Sequence, residues 1–415
     1  MKKEKKTLLE NFLSLGFIQI FSYLMPLITL PYQTRVLGAE KFGLVYFAYA
    51  FMAYFIMLTD FGFGLSATRE IAINRHNKNN ISNIFSSVMC LKFILVLISY
   101  IILVLISLFV PKIQDNWLIF QFSFLMVIGN AIFPYWFFQG MEKMKYITFL
   151  NILTRLIFLV SIFVFVKQQS DYIIVPLLNS LGFLVSGIIG MYFAVKNMGA
   201  KLYIPSWKSM KKQVKYSSEF FLSRVSFSLY TNTNAFCLGL IDSNLSVGYY
   251  VAAEKIHDAI NGLQMPINQA LYPFVAKYKD IKTYKKWVSV FLICSFLVCS
   301  FIFIFAKYFV TIFYGAEMEN AYKILRIFCI ILLVRIPSDL MGYPLLGAMG
   351  HTKIANNTVI GGSIIHITGL FILFVLGKIN VYSIALMVLI TFSIVLLLRI
   401  YYVCKYKLLK ENNIK

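Results

Sequence analysis

Residues 84–110 read IFSSVMCLKFILVLISYIILVLISLFV, a continuous apolar run with one charge, Lys92. Rising about 1.5 Å per residue, such a helix is longer than the roughly 30 Å hydrocarbon core of a bilayer. It is apolar all round, so it reads as a membrane span. Working outward, further segments of the same kind cover 8–31, 42–60, 117–139, 146–166, 172–195, 214–240, 247–275, 287–313, 321–348, 355–376 and 380–403. The expected fold class is therefore an all-α integral membrane protein with about twelve transmembrane helices. The composition agrees, with 60% hydrophobic and 13% charged residues over 415 positions.

Lysine and arginine sort onto alternate connections. Most lie in the two tails and around residues 69–78, 143–145, 196–215, 277–286 and 353. The opposite side holds Arg35, Lys41, Lys112, Lys167, Lys307, Lys323 and Lys378. The positive-inside rule then places both termini in the cytoplasm. The start, MKKEKKTLLENFLSLGFIQIF, has the basic head and apolar run of a signal peptide. The run continues to Pro31 without a small-residue cleavage site, so a retained first span is expected. The net charge of +22 is assigned to loops facing anionic lipid. No nucleic acid partner is expected, because no soluble domain interleaves basic with aromatic residues.

All six cysteines, Cys90, Cys237, Cys294, Cys299, Cys329 and Cys404, lie within or at the ends of apolar segments, and none forms a CxxC pair. This argues against disulfides and a zinc site. There is no GxxxxGK[ST] loop, and no HExxH, GxSxG or DxD on an exposed connection. The external connections are too short for a catalytic domain, so neither a catalytic residue nor a metal site is expected, and a transporter is favoured over an enzyme. Trp117, Trp136, Trp207 and Trp287 lie at or near segment ends and read as interfacial anchors.

Two short stretches recur at about half the chain length. Gly43–Ala48 resembles Gly248–Ala253 at an offset of 205, and Phe137–Lys145 resembles Leu345–Lys353 at an offset of 208. Together they suggest two six-helix halves in parallel orientation, 1–200 and 201–415. Pro26, Pro134, Pro266, Pro273, Pro337 and Pro344 interrupt spans or their ends, as packed kinks or as the broken helices that line a transporter cavity. Gly182, Ser186 and Gly190 share one face and suit close helix packing.

Charges at membrane depth carry most of the functional information, because each costs several kcal/mol unless it meets water or a partner. Lys92, Arg155 and Arg224 have no acid three or four residues away and need a partner from another helix or an anionic ligand. Arg224, Ser228 and Asn232 form a polar stripe extended by Thr231 and Asn234. Glu254 and Asp258 share a face, flanked by Lys255 and His257, and Arg335 can pair with Asp339 along its own helix. His257 and His366 read more readily as helix–helix hydrogen bonders than as proton relays. Arg35 closes the first span on the external side. Cavity candidates are thus Arg35, Lys92, Arg155, Arg224, Asn232, Lys255 and Arg335. Glu254, Asp258 and Asp339 are candidates for coupling a cation.

Leu24–Gly43, LMPLITLPYQTRVLGAEKFG, resembles the opening signature of the polysaccharide-repeat flippases. So do Asp60–Ala72 (DFGFGLSATREIA), Trp136–Met144 (WFFQGMEKM) and Pro266–Pro273 (PINQALYP). The chain resembles the O-antigen flippase family Wzx, within the superfamily of multidrug, oligosaccharidyl-lipid and polysaccharide exporters. The resemblance implies two pseudo-symmetric six-helix lobes around a central cavity in the bacterial inner membrane. The cargo would be an undecaprenyl-pyrophosphate-linked oligosaccharide, moved from the cytoplasmic to the periplasmic face. It implies no cofactor beyond a coupling cation, H⁺ or Na⁺, and partners among the polymerase and chain-length regulator of the same pathway. Another lipid-linked glycan (capsule or peptidoglycan precursor) or a multidrug exporter are the alternatives.

Overall fold

The computed structural model describes residues 25–221, 225 and 232–409 with their side chains, and 2–24, 222–224 and 226–231 by backbone alone. No strand occurs among the described residues. In chain order the helices are α1 Lys2–Asp60, α2 Phe63–Ile73, α3 Lys78–Phe109, α4 Pro111–Asp115, α5 Trp117–Ile132, α6 Tyr135–Gly140, α7 Met144–Phe165 and α8 Ile174–Tyr192. There follow α9 Trp207–Ile241, α10 Asn244–Gly262, α11 Gln264–Tyr278, α12 Ile281–Ile304, α13 Ala306–Tyr314, α14 Ala321–Met341, α15 Thr352–Val375 and α16 Val381–Lys405.

Among the described residues, eight spans are long and apolar enough to cross a membrane by length and composition, among them Met25–Ile73, which joins α1 from Met25 onward to α2. The apolar segments outside that set are α9, α10 with α11, and α14. These carry most of the charges counted above, which lowers their apolarity. Polar N-caps start several helices. Asn77 accepts from the backbone of Asn79 and Asn80, Asp280 from Thr283, and Asn380 from Tyr382 and Ser383. The Thr283 hydroxyl, donating to Asp280 at 2.6 Å, and then its backbone N–H hold the Asp280 carboxyl below the usual carboxylate range.

By contact the chain groups into two compact units, Met1–Leu37 with Leu44–Phe236, and Gly38–Gly43 with Cys237–Lys415. In the first unit, glycines let helices touch. Gly187 meets the Gly129 carbonyl of α5, and Gly182 meets the Thr154 carbonyl of α7. Ser186 bonds Thr154 at 2.7 Å, so the small-residue face of α8 is the packing face expected. The first half of α9 is tied to α2: Ser217 lies 2.6 Å from Ser66, Gln213 donates to Glu70 at 2.5 Å, and Lys212 sits 3.3 Å from Glu70. Trp136 departs from the expected interfacial anchor. Pro134 ends α5 early, and the short α6 turns Trp136 into the core, fully buried among Phe85 and Phe137. Trp207 and Trp287 are exposed, as anchors require.

The recurring stretches correspond in backbone detail. After α6, Lys143 N–H donates to the Phe138 carbonyl at 2.8 Å, with Glu142 at φ 56°. After α14, His351 N–H donates to the Leu346 carbonyl at 2.8 Å, with Gly350 at φ 92°. Both turns are left-handed helix caps of the same type, 208 residues apart. The other stretch forms a contact within the second unit. A Cβ on Gly43 would overlap the Asn244 carbonyl, and one on Gly248 would lie 2.5 Å from the Ala39 carbonyl. Positions 39 and 244, and 43 and 248, are each 205 apart, so the contact is reciprocal. Gly38, at φ 72°, breaks α1 just before it and adopts a conformation that suits only glycine.

Gly43→Ala should therefore cost about 1–3 kcal/mol through overpacking against backbone that cannot move aside. The thermal midpoint of the detergent-solubilised protein checks this, with Gly361→Ala, where nothing lies within 4 Å, as the control that leaves it unchanged or raised.

Candidate functional site

Helix α14 cannot end regularly. Pro337 lacks an N–H, and the chain passes from Met341 into a π-helical turn, Gly342–Gly347. Three helices supply side chains to the carbonyls at this end. Gln264 of α11 donates to the Ile336 carbonyl at 3.0 Å, Arg399 of α16 to the Ser338 carbonyl at 2.7 Å, and Tyr284 of α12 to the Leu340 carbonyl at 3.0 Å. Arg399 is 4% exposed and also donates to Thr358 at 3.1 Å and Asp339 Oδ1 at 3.4 Å. Gly342 leaves room for its guanidinium, whose Cζ would stand 3.0 Å from a Cβ there. Arg335 Nε lies 3.4 Å from Asp339 Oδ2, and its guanidinium stacks over Phe392 at 4.9 Å. Asp339 is thus held between two guanidiniums. Beside them a cavity of about 690 Å³ is lined by Asn268, Gln269, Tyr272, Asp339, Tyr343 and Arg399, among others.

Helix α10 adds a second group. Lys255 Nζ lies 3.8 Å from Asp258 Oδ2, and His257 Nδ1 lies 3.3 Å from Asp258 Oδ1. Glu254 stands one helical turn before Asp258, and both lie within electrostatic range of Arg335. The structure therefore brings Glu254, Lys255, Asp258, Arg335 and Asp339 into one network inside the second unit. Among the described residues no group of three His, Cys, Asp or Glu side chains could hold a metal ion.

The first unit has its own buried charge. Lys92 of α3 is 1% exposed, and its ammonium lies 4.0 Å from Asp60 Oδ1 and 5.7 Å over the Tyr135 ring. Tyr135 donates to the same Asp60 oxygen at 2.8 Å. The partner that Lys92 lacks along its own helix thus comes from the end of α1. Arg155, in α7, is half-buried and makes no hydrogen bond or ion pair among the described residues. Arg35 is exposed near the end of the first half of α1, and Asn232 is half-buried on α9. Arg224 lies outside the described residues. His366 bonds Thr391 at 3.1 Å, the helix–helix role expected of it.

Asp60, Tyr135 and Arg399 are the site residues that sequence reasoning missed. Asp60 stands at a span end, where a carboxylate reads as solvated. Arg399 sits close enough to the basic tail to be taken as snorkelling to the interface. The available signal was the coincidence of Asp60 and Tyr135 with the segment ends that flank Gly62 and Pro134.

A protein family described as polysaccharide biosynthesis protein matches residues 8–279. A protein of Escherichia coli (strain K12) named as an O-antigen transporter is 33% identical over 333 residues, covering 79% of this chain and 80% of the relative. A Shigella dysenteriae protein of the same name is 29% identical, covering 86% of this chain and 91% of the relative. Among solved structures, the lipid II flippase MurJ in an inward closed conformation superposes with a TM-score of 0.70 at 16% identity, covering 94% of this chain and 87% of that one. An inward-facing multidrug-resistance MATE transporter of the MOP superfamily gives 0.68 at 14% identity, covering 94% and 96%. The two structural likenesses show that the chain shares their all-α fold.

Arg399→Ala should lower stability by about 3 kcal/mol, since it strips the Ser338 carbonyl and Asp339 of a buried donor. Thermal unfolding in detergent reads this out. Arg399→Lys should recover only part of the loss, because one ammonium cannot reproduce the guanidinium fork.

Proposed function

Since the chain belongs to the polysaccharide biosynthesis protein family, we propose that it is a flippase for a lipid-linked glycan. More closely, we read the cargo as an undecaprenyl-pyrophosphate-linked oligosaccharide of the O-antigen repeat type. It would move from the cytoplasmic to the periplasmic face of the inner membrane by alternating access. In this reading about twelve spans form two six-helix lobes around a central cavity, with both termini cytoplasmic and the repeat halves at 1–200 and 201–415. The backbone correspondence of the two left-handed caps and the reciprocal Gly43–Gly248 contact support that duplication.

One observation carries the cargo reading: Arg155, a permanently charged group on a spanning helix, has no hydrogen bond or ion pair among the described residues. A pyrophosphate offers the charge and acceptor oxygens that a guanidinium binds best. Lys92, Arg224, Lys255 and Arg335 would share that role, with Arg35 at the external end. Asn232 and neighbouring polar groups would face the sugars, while the prenyl tail stays in lipid. Glu254, Asp258 and Asp339 would couple an H⁺ or Na⁺ to the lobe motion. A polymerase and a chain-length regulator would receive the product. A capsule or peptidoglycan precursor would use the same scaffold. A MATE-type exporter of cationic drugs fits less well, because basic groups dominate the cavity candidates.

Deleting the gene in its host should make lipid-linked repeat units accumulate on the cytoplasmic face, and unchanged glycan display would remove the cargo assignment. Lys92→Ala, Arg155→Ala and Arg224→Ala should each reduce glycan display roughly tenfold, about 1.4 kcal/mol of lost ligand interaction, while the protein still inserts. Full activity in all three would refute the cationic-cavity reading.

A further inference from the structure

A line of polar groups runs along one face of α10 and α11 in the second unit. Glu254, His257, Asn261, Gln264 and Asn268 follow one another at steps of three, four, three and four residues. Leu263, between α10 and α11, keeps helical dihedrals (φ −67°, ψ −20°), so this spacing carries one face across the interrupted ladder. The face meets α14: the His257 ring lies 5.2 Å from that of Phe328, and Gln264 Nε2 donates to the Ile336 carbonyl at 3.0 Å. Four of these side chains nevertheless keep a buried polar atom without a hydrogen-bond partner among the described residues: His257 Nε2, Asn261 Oδ1, Gln264 Oε1 and Asn268 Oδ1. His257 is 3% exposed and Gln264 1%.

An unsatisfied buried polar atom costs about 1–3 kcal/mol, so four in register along one face would weigh heavily against this packing. Water resolves all four at once. Side chains three or four residues apart lie about 5–6 Å from each other. One water making two hydrogen bonds of about 2.8 Å spans that gap. The line also has two meaningful ends. Asn268 lines the cavity that Asp339 and Arg399 share, and Glu254 stands beside Asp258 at the other end. Lys277, Lys279, Lys282, Lys285 and Lys286 cluster where α11 ends and α12 begins, which assigns the cavity end to the cytoplasmic side.

We infer that this face is a hydrated track, a file of ordered water that gives cytoplasmic protons access to Glu254 and Asp258. The charged groups that face it are Lys255 and Asp258 from α10, Arg335 and Asp339 from α14, and Arg399 from α16. The inference deepens the transport reading and rests on it only for the use made of the protons.

Hydroxyl radicals generated by X-rays from bound water test the track in the unaltered protein. His257 and His366 are both buried, but only His257 keeps a ring nitrogen, Nε2, without a hydrogen-bond partner among the described residues. His257 should oxidise roughly tenfold faster, because water lies against it. Equal, slow oxidation of both would overturn the proposal. Direction is read in a cysteine-free background from Asn261→Cys and Gln264→Cys, with Leu271→Cys on the apolar face as control. Silver ion added to the cytoplasmic face of inside-out vesicles should protect the first two from later alkylation and spare the third. Protection only from the opposite face would overturn the cytoplasmic direction. Neither readout needs a glycan, so failure of the cargo assignment would leave these results standing.

Discussion

Hydrocarbon offers no hydrogen-bond partner, and that constraint organises the whole molecule. A spanning helix satisfies its own backbone, but a broken one exposes carbonyls that protein or trapped water must meet. This chain breaks its helices at Gly38, after Phe133, at Leu263 and through Gly342–Gly347. At the end of α14, Gln264, Arg399 and Tyr284 each take one carbonyl. Beside the α5–α6 break, Tyr135 bonds Asp60. Polar side chains gather at these interruptions because that is where the backbone needs them, and the same gathering creates sites.

Charge follows the same logic. The Lys92–Asp60 pair and the Arg335–Asp339–Arg399 group pass their charge between neighbours, so each ion meets an opposite one in a medium that would otherwise repel it. Such pairs bring little net stability, since desolvation offsets most of the attraction. What they bring is position: a carboxylate held between two guanidiniums cannot drift. Arg155 differs in having no such neighbour among the described residues, and a flippase for an acidic headgroup would need groups of that kind.

Much of the fold was legible in the residues. Apolar runs long enough to span a bilayer marked the helices, and Gly182, Ser186 and Gly190 marked a packing face that Gly182 and Ser186 do occupy against Thr154. Arg335 and Asp339 could be paired by spacing alone. What could not be read was anything that depends on approach between distant segments. No spacing rule joins Lys92 to Asp60, or Arg399 to Ser338 and Thr358. Trp136 misled because a tryptophan near a segment end usually faces the interface, whereas the turn imposed by Pro134 folds it inward. The polar steps from Glu254 to Asn268 were visible as letters, but their significance lay in which atoms the packing left unmet.

The Gly43–Gly248 contact has an implication for how this chain can be divided or altered. The short elbow 38–43 belongs by contact with residues that come some two hundred positions later. A gene cut between Phe236 and Cys237 would therefore yield a second fragment missing part of its own interior, which the first would have to lend. Because each glycine abuts main chain on the opposite side, neither site can acquire a side chain by trimming its neighbour. The two codons are constrained together by steric necessity.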